Sequence, residues 1–384
     1  MKKLILTFLS IFAIFNITNN SSYAQIKGIY GGGPFYEQSD TIIPFLKNSG
    51  FNTMVLWTIH VEINGDFVFN DIKIIEDGAY IGKPEWPEQI NAFKEQPSTV
   101  TRVEWSLGSA SDPVEGPFDF QNIRDLIDKE GIGPNSTLYK NFKLLKEEFP
   151  ICEGIIYDDE NHYDSITAMQ LSNLLISLDY QISIAPYNNI EFWSDLYKKI
   201  VKENPEDFGI IYLQKYEGGQ NVDVKKWNEA FPGKYVTPGL ETVYGDFCDR
   251  GSSPETINDS INTWKTYIGG SWYWLLDAMI HCRERYSFEE YYKAFDSLRP
   301  NEDPTGLDFR ITKNTNVNYV YPNPCSEKLV LNPKANIGAF KICNSSGIIV
   351  GKFENCKEID TKHFTPGLYF MIFKNAPPLK FIKH

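Results

Sequence analysis

Between Ile26 and Leu275 short runs of β-branched and apolar residues alternate with longer stretches whose apolar positions recur every three or four residues. Period two marks strands and period 3.6 marks helices, and their regular alternation is the pattern of βα units around a parallel sheet. The runs predict eight strands, near Ile26 to Gly31, Asn52 to Thr58, Val100 to Leu107, Gly154 to Asp158, Gln181 to Ala185, Gly209 to Gln214, Lys234 to Pro238 and Gly269 to Leu275. Helices are predicted between them, most clearly over Ser136 to Phe149, Asp164 to Leu178 and Glu191 to Glu203. Eight parallel strands in roughly 275 residues suit an α/β fold of the TIM (β/α)8 barrel type, for which about 250 is typical. Periodicity cannot prove closure, so an open doubly wound sheet is the alternative. Phe67-Val68-Phe69 and Lys73-Ile74-Ile75 read as a hairpin inserted after the second strand.

The pattern changes at both ends. Lys2 and Lys3 precede an apolar run from Leu4 to Phe15, and Ser22-Tyr23-Ala24 has the small-x-small form of a cleavage site. Residues 1–24 are expected to be a secretory signal peptide, since twelve apolar residues are short against the ~20 that span a bilayer. The barrel would then occupy 25–299. A polar linker without hydrophobic period follows over 300–318. Residues 319–384 are strand-like, with runs at Lys328 to Leu331, Ala339 to Cys343, Ile348 to Phe353 and Leu368 to Phe373, and predict a small all-β sandwich domain.

Composition narrows the chemistry. Of 384 residues, 42% are hydrophobic and 23% charged, which suits a globular core. The formal net charge of -13 argues against nucleic acid or an anionic membrane as partner. The six cysteines divide three and three between barrel and tail, leaving the pairing open. There is no CxxC or HExxH spacing, so no metal or other cofactor is expected. Aromatics at 15% are plentiful enough for both a core and a sugar-stacking groove. Nothing in the pattern calls for a second copy, and a monomer is expected.

The densest chemistry lies in EGIIYDDENHY, Glu153 to Tyr163, where a strand breaks into three acids. By the period of two, Gly154, Ile156, Asp158 and Glu160 share one face. Two neighbouring carboxylates cannot both ionise freely, so one is held protonated and can serve as a general acid. Asp164 is expected to cap the helix that follows.

Glu153 to Glu160 resembles the DGxDxDxE signature of glycoside hydrolase family 18, the chitinases and endo-β-N-acetylglucosaminidases. Four further stretches agree in order: Ser106-Leu107-Gly108-Ser109 with SxGG, Ile184-Ala185-Pro186-Tyr187 and Tyr212-Leu213-Gln214-Lys215-Tyr216 with stretches of plant chitinases, and Gly269 to Trp274 with GGxxxW. The resemblance implies that Glu160 is the general acid, that Asp158 orients the substrate's N-acetyl group and that Tyr216 hydrogen-bonds its carbonyl. The acetamide then supplies the nucleophile, the substrate-assisted exception among retaining glycosidases. It also implies substrate contacts at Trp274, Tyr212, Gln214, Tyr187 and Ser106. Two positions depart: Glu153 stands for the first Asp, and Ile156 for the second. At Ile156 an apolar side chain removes a like charge beneath Asp158 but also desolvates it, and the two effects on Asp158 oppose. The implied substrate is an N-acetylglucosamine-containing glycan, a chitin oligomer or the core of an N-glycan; the alternative is a chitinase-like binder without catalysis.

Tyr321-Pro322-Asn323-Pro324, Leu329-Val330-Leu331 and Pro366-Gly367-Leu368-Tyr369, with a basic ending, resemble the C-terminal sorting domain of the type IX secretion route. That resemblance implies the type IX machinery as a partner and delivery to the outer surface of a Gram-negative cell.

Overall fold

A computed structural model describes residues 25–109, 116, 118–298, 320–321, 325–331, 339–344, 349–354, 356–373 and 379–383. The expected signal peptide and linker lie outside the described residues. The chain divides into two units, Met1–Asn301 and Glu302–His384.

Eight parallel strands close the first unit into a barrel: Ile26–Gly31, Thr53–Val61, Arg102–Leu107, Cys152–Tyr157, Gln181–Ile184, Phe208–Gln214, Val236–Glu241 and Gly270–Trp274. The first strand pairs with both the second and the eighth, which excludes the open sheet. The second strand runs past its expected end to Val61 because it continues as a hairpin, pairing antiparallel with Phe67–Phe69, which pairs with Ile72–Glu76. The seventh strand begins and ends later than expected. Pro238 reads as a stop because it lacks an N–H, yet it sits mid-strand opposite Leu213, its carbonyl accepting from Ser271 Oγ at 2.7 Å. That shift brings Glu241 to the strand end.

Outward residues such as Ile155, Tyr157, Val103 and Leu107 pack beneath the helices in the main apolar core. The helices fall where the pattern put them. Thr137–Glu148 is capped by Ser136, and Ser165–Ile176 by Asp164, whose carboxylate accepts from the Ile166 N–H. Inward residues form a second core inside the barrel, made of Tyr30, Val55, Ile156, Ala185, Tyr212, Tyr216 and Trp272. Gly239 is what lets Trp272 fill this space, since a Cβ there would lie 2.1 Å from the indole. Tyr30 stacks on Trp272 at 4.1 Å and meets Tyr212 edge-on at 5.6 Å, so aromatic rings seal the barrel at mid-height.

Below that layer lies a charged one. Glu104 is fully buried and takes Arg102 Nη2 at 2.9 Å, Ser183 Oγ at 2.7 Å and the Tyr212 hydroxyl. Burial alone would raise its pKa; the adjacent Arg102 charge and these hydrogen bonds outweigh it and hold the carboxyl below its ordinary value.

The second unit is antiparallel throughout. One sheet holds Val320–Tyr321, Lys328–Leu331 and Glu358–Asp360, the other Ile349–Glu354, Ala339–Asn344, Gly367–Phe373 and Leu379–Lys383. Leu329, Leu331, Phe340, Ile342, Ile359, Met371 and Phe381 form their shared core.

Candidate active site

The fourth strand ends at Tyr157, and the next residue, Asp158, continues its inward face at the C-terminal mouth of the barrel, where TIM barrels carry their chemistry. Its backbone N–H is still held by the Leu107 carbonyl at 3.0 Å, so the side chain starts from a fixed point. Gly108 makes this possible. It has φ +81, and a Cβ there would press within 3.1 Å of the Asp158 carbonyl.

Asp158 is 5% exposed and rests on Ile156, which is wholly buried. Gln214, from the end of the sixth strand, donates from Nε2 to Asp158 Oδ1 at 2.9 Å and to the Ala185 carbonyl at 2.8 Å. The same nitrogen lies 3.5 Å from Glu160 Oε1. The Asp158 carboxyl and the Tyr187 hydroxyl both lie within hydrogen-bonding reach of Glu160. Burial first, then the Glu160 charge, drives the Asp158 pKa well above the ordinary carboxylate value. Burial raises that of Glu160 as well, against the hydrogen bonds from Gln214, Tyr187 and Asp158. The pair therefore titrates as a unit that retains a proton at higher pH than either acid would alone.

The third acid has another task. Asp159 turns away and accepts the backbone N–H groups of Asn161, His162 and Tyr163 at 3.3, 2.8 and 2.8 Å, fixing the loop that carries Glu160.

Aromatic rings frame the acids. Tyr216 and Trp274 lie nearly parallel, 5.5 Å apart at 14°. Trp57, ending the inward face of the second strand, meets Trp274 edge-on at 4.8 Å and 84°. The Trp57–Thr58 and Trp274–Leu275 peptide bonds are cis. Burial, then the charges of Asp158 and Glu160, raise the Tyr216 hydroxyl far above its ordinary pKa, so it stays a donor. Glu241 stands at the seventh strand end beside Glu217 and Arg250. Half-buried, it is pushed up to about 7 by desolvation and the Glu217 charge.

The loop after Glu241 is heavily tied. Thr242 N–H donates to the Trp274 carbonyl at 2.7 Å, Ser252 N–H to the Glu241 carbonyl at 3.1 Å, and the Arg250 guanidinium covers the Tyr244 ring at 4.5 Å. A disulfide joins Cys248 to Cys282, which resolves the cysteine pairing in the barrel; Cys152 is free and buried. Among the described residues one possible metal-binding trio exists, Cys248, His281 and Cys282, but both its sulfurs are spent in that disulfide.

Glu160, Asp158, Gln214, Tyr187, Tyr216 and Trp274 thus converge at one mouth. Two expected contacts sit deeper. Tyr212 is wholly buried, its hydroxyl turned down to Glu104, and Ser106 is wholly buried beside Ile156 in the layer beneath Asp158. Neither reaches a surface on which a ligand could rest. Conversely, Trp57 and Glu241 belong to the site and were not singled out in the sequence. Their signal was present, as inward positions at strand ends, but only barrel closure shows which ends face Asp158.

Residues 319–383 match the family model of the secretion system C-terminal sorting domain. The tail is such a domain, and it directs the chain through type IX secretion to the cell surface or the extracellular space. No curated protein matches the chain. Among solved structures it is similar to a chitinase from Bacteroides thetaiotaomicron, at 13% identity and TM-score 0.47 over 71% of this chain and 97% of that one. A chitinase from Chromobacterium violaceum is similar at 10% and 0.46 over 71% and 98%, and the spore cortex-lytic enzyme SleL of Bacillus cereus at 11% and 0.47 over 71% and 74%. A likeness this distant concerns the path of the chain and not its chemistry.

Proposed function

We propose that the barrel is a secreted retaining glycoside hydrolase that cleaves β-1,4 linkages next to N-acetylglucosamine by a substrate-assisted mechanism, as an endo-β-N-acetylglucosaminidase or a chitinase. The observation that carries the reading is the close pair of Asp158 and Glu160, both bonded by Gln214 Nε2, beside the paired rings of Tyr216 and Trp274. Glu160, its pKa raised by burial, gives its proton to the departing glycosidic oxygen. Asp158 holds the acetamide N–H, and Tyr216 donates to the acetamide carbonyl, whose oxygen bonds the anomeric carbon as the glycosidic bond breaks. Glu160, now a carboxylate, takes a proton from the water that reopens the ring so formed. Trp274 stacks the reacting sugar, and Gln214 and Tyr187 hold the acids in register. The substrate is accordingly an N-acetylglucosamine-containing glycan.

The test is mass spectrometry of products after incubating the full chain with a high-mannose glycoprotein and, separately, a chitin oligomer, with Glu160→Gln as control. Release of a glycan that leaves one N-acetylglucosamine on the protein identifies the endoglycosidase; shortened oligomers alone identify the chitinase. A second reading, a chitinase-like protein that binds these sugars without cleaving them, is favoured by one observation, the apolar Ile156 beneath Asp158. Tight binding without turnover would establish it.

A further inference from the structure

Trp57 has a buried donor without a well-formed partner. Its ring is fixed by the edge-on contact with Trp274, and its carbonyl by Asn70 Nδ2 at 2.7 Å. Its indole nitrogen is closed to solvent and makes no well-aligned hydrogen bond, although it lies close to the Asp158 carboxyl. Leaving a buried donor unmade is costly, so one kept at a site mouth calls for a reason.

Asp158 has the complementary need. A carboxylate accepts several hydrogen bonds once ionised, and Gln214 supplies only one firm one. Ile156 seals it from below. The titratable groups that act on it are Glu160 and Asp159 from its own segment, Tyr30 from the first strand, Tyr216 from the loop after the sixth and Tyr187 from the loop after the fifth, and none of them is a cation. Three buried donors around it have no well-formed partner among the described residues, the Tyr30 and Ser106 hydroxyls and the Trp57 indole. Of the three, only the Trp57 indole is placed within hydrogen-bonding reach of the Asp158 carboxyl, where it favours the charged form.

We propose that the indole N–H of Trp57 is a donor reserved for the ionised carboxylate of Asp158, making Trp57 a positioning residue for the proton that Asp158 shares with Glu160. While Asp158 is neutral its proton goes to Glu160 and the indole stays unpaired. When the proton moves across, Asp158 becomes an anion and closes on the indole and on Gln214 together. An interaction made only in the charged state lowers a barrier without tightening ground-state binding. The consequence for rate rests on the glycosidase reading, but the interaction itself does not.

The test is a pH series of 1H–15N spectra of the full chain, following the Trp57 indole signal, which is assigned by its loss in Trp57→Phe and, should that variant misfold, in Trp57→Tyr. The signal is expected to move with pH along one titration curve, to stand still in Asp158→Asn and to move unchanged in Tyr30→Phe. A signal that ignores pH, or that still moves in Asp158→Asn, overturns the proposal. On a cleaved glycan, Trp57→Phe is expected to keep KM and lower kcat about 10- to 100-fold, the worth of one hydrogen bond to a charged group. Failure of every glycan to be cleaved would refute the glycosidase reading while the spectra still decide on Trp57.

Discussion

Gln214 holds Asp158 with the amide nitrogen that also holds the Ala185 carbonyl, at 2.9 and 2.8 Å. Replacing that amide with a side chain of similar size, Gln214→Leu, removes a donor that favours the charged form of Asp158. The acid limb of the pH–activity profile should move upward, and kcat/KM should fall about 10- to 100-fold. An unchanged profile would mean that Gln214 serves the backbone of Ala185 alone.

Stability should fall as pH rises through the titration of the mouth. Folding raises the pKa of Asp158, Glu160 and Glu241, so the folded chain binds more protons than the unfolded one between the two values. The contribution is fully present below the unfolded value of about 4 and is lost above the folded one, which for Glu241 is about 7. Asp158→Asn and Glu241→Gln should therefore melt above the parent at pH 8 and level with it at pH 4. Calorimetry at the two pH values decides, and an equal gap at both would contradict the assignment.

The charged layer below should tolerate joint replacement better than single loss. Arg102→Met leaves Glu104 buried without its cation and is expected to cost about 3–5 kcal/mol. Arg102→Met with Glu104→Leu removes both charges and should recover part of that loss. Urea denaturation of the two variants against the parent measures the difference.

The Cys248–Cys282 bond closes a separation of 34 residues. Its removal in Cys248→Ser with Cys282→Ser should cost about 2–4 kcal/mol. Hydrogen exchange should quicken in residues 242–252 and leave the barrel strands as they were. Uniform quickening would mean that the bond steadies the whole barrel and not the mouth.

All eight barrel strands were legible because each is a β-branched or apolar run between turn residues, and the acids were legible because charge at the end of such a run is conspicuous. Depth was not. Alternation tells which side of a strand Tyr212 and Ser106 occupy, but the stagger between neighbouring strands decides the depth: Ser106 lies beside Ile156, one level below Asp158, and Tyr212 turns its hydroxyl down to Glu104. Trp57 and Glu241 escaped for the converse reason: nothing local distinguishes a strand end facing Asp158 from one facing elsewhere. The barrel disulfide was invisible too, since three cysteines in one domain allow any pairing until the loops bearing Cys248 and Cys282 are in place.

The stacked rings of Tyr30 and Trp272, with Tyr212 against them, leave the barrel no back door. A sugar bound at Asp158 would have to leave on the side it entered, the side of Tyr216 and Trp274. In the proposed reaction the departing half of the glycan leaves, and the water arrives, on the mouth side of that wall. Entry and exit at such a site are a matter of traffic, set by a wall that takes no part in the chemistry.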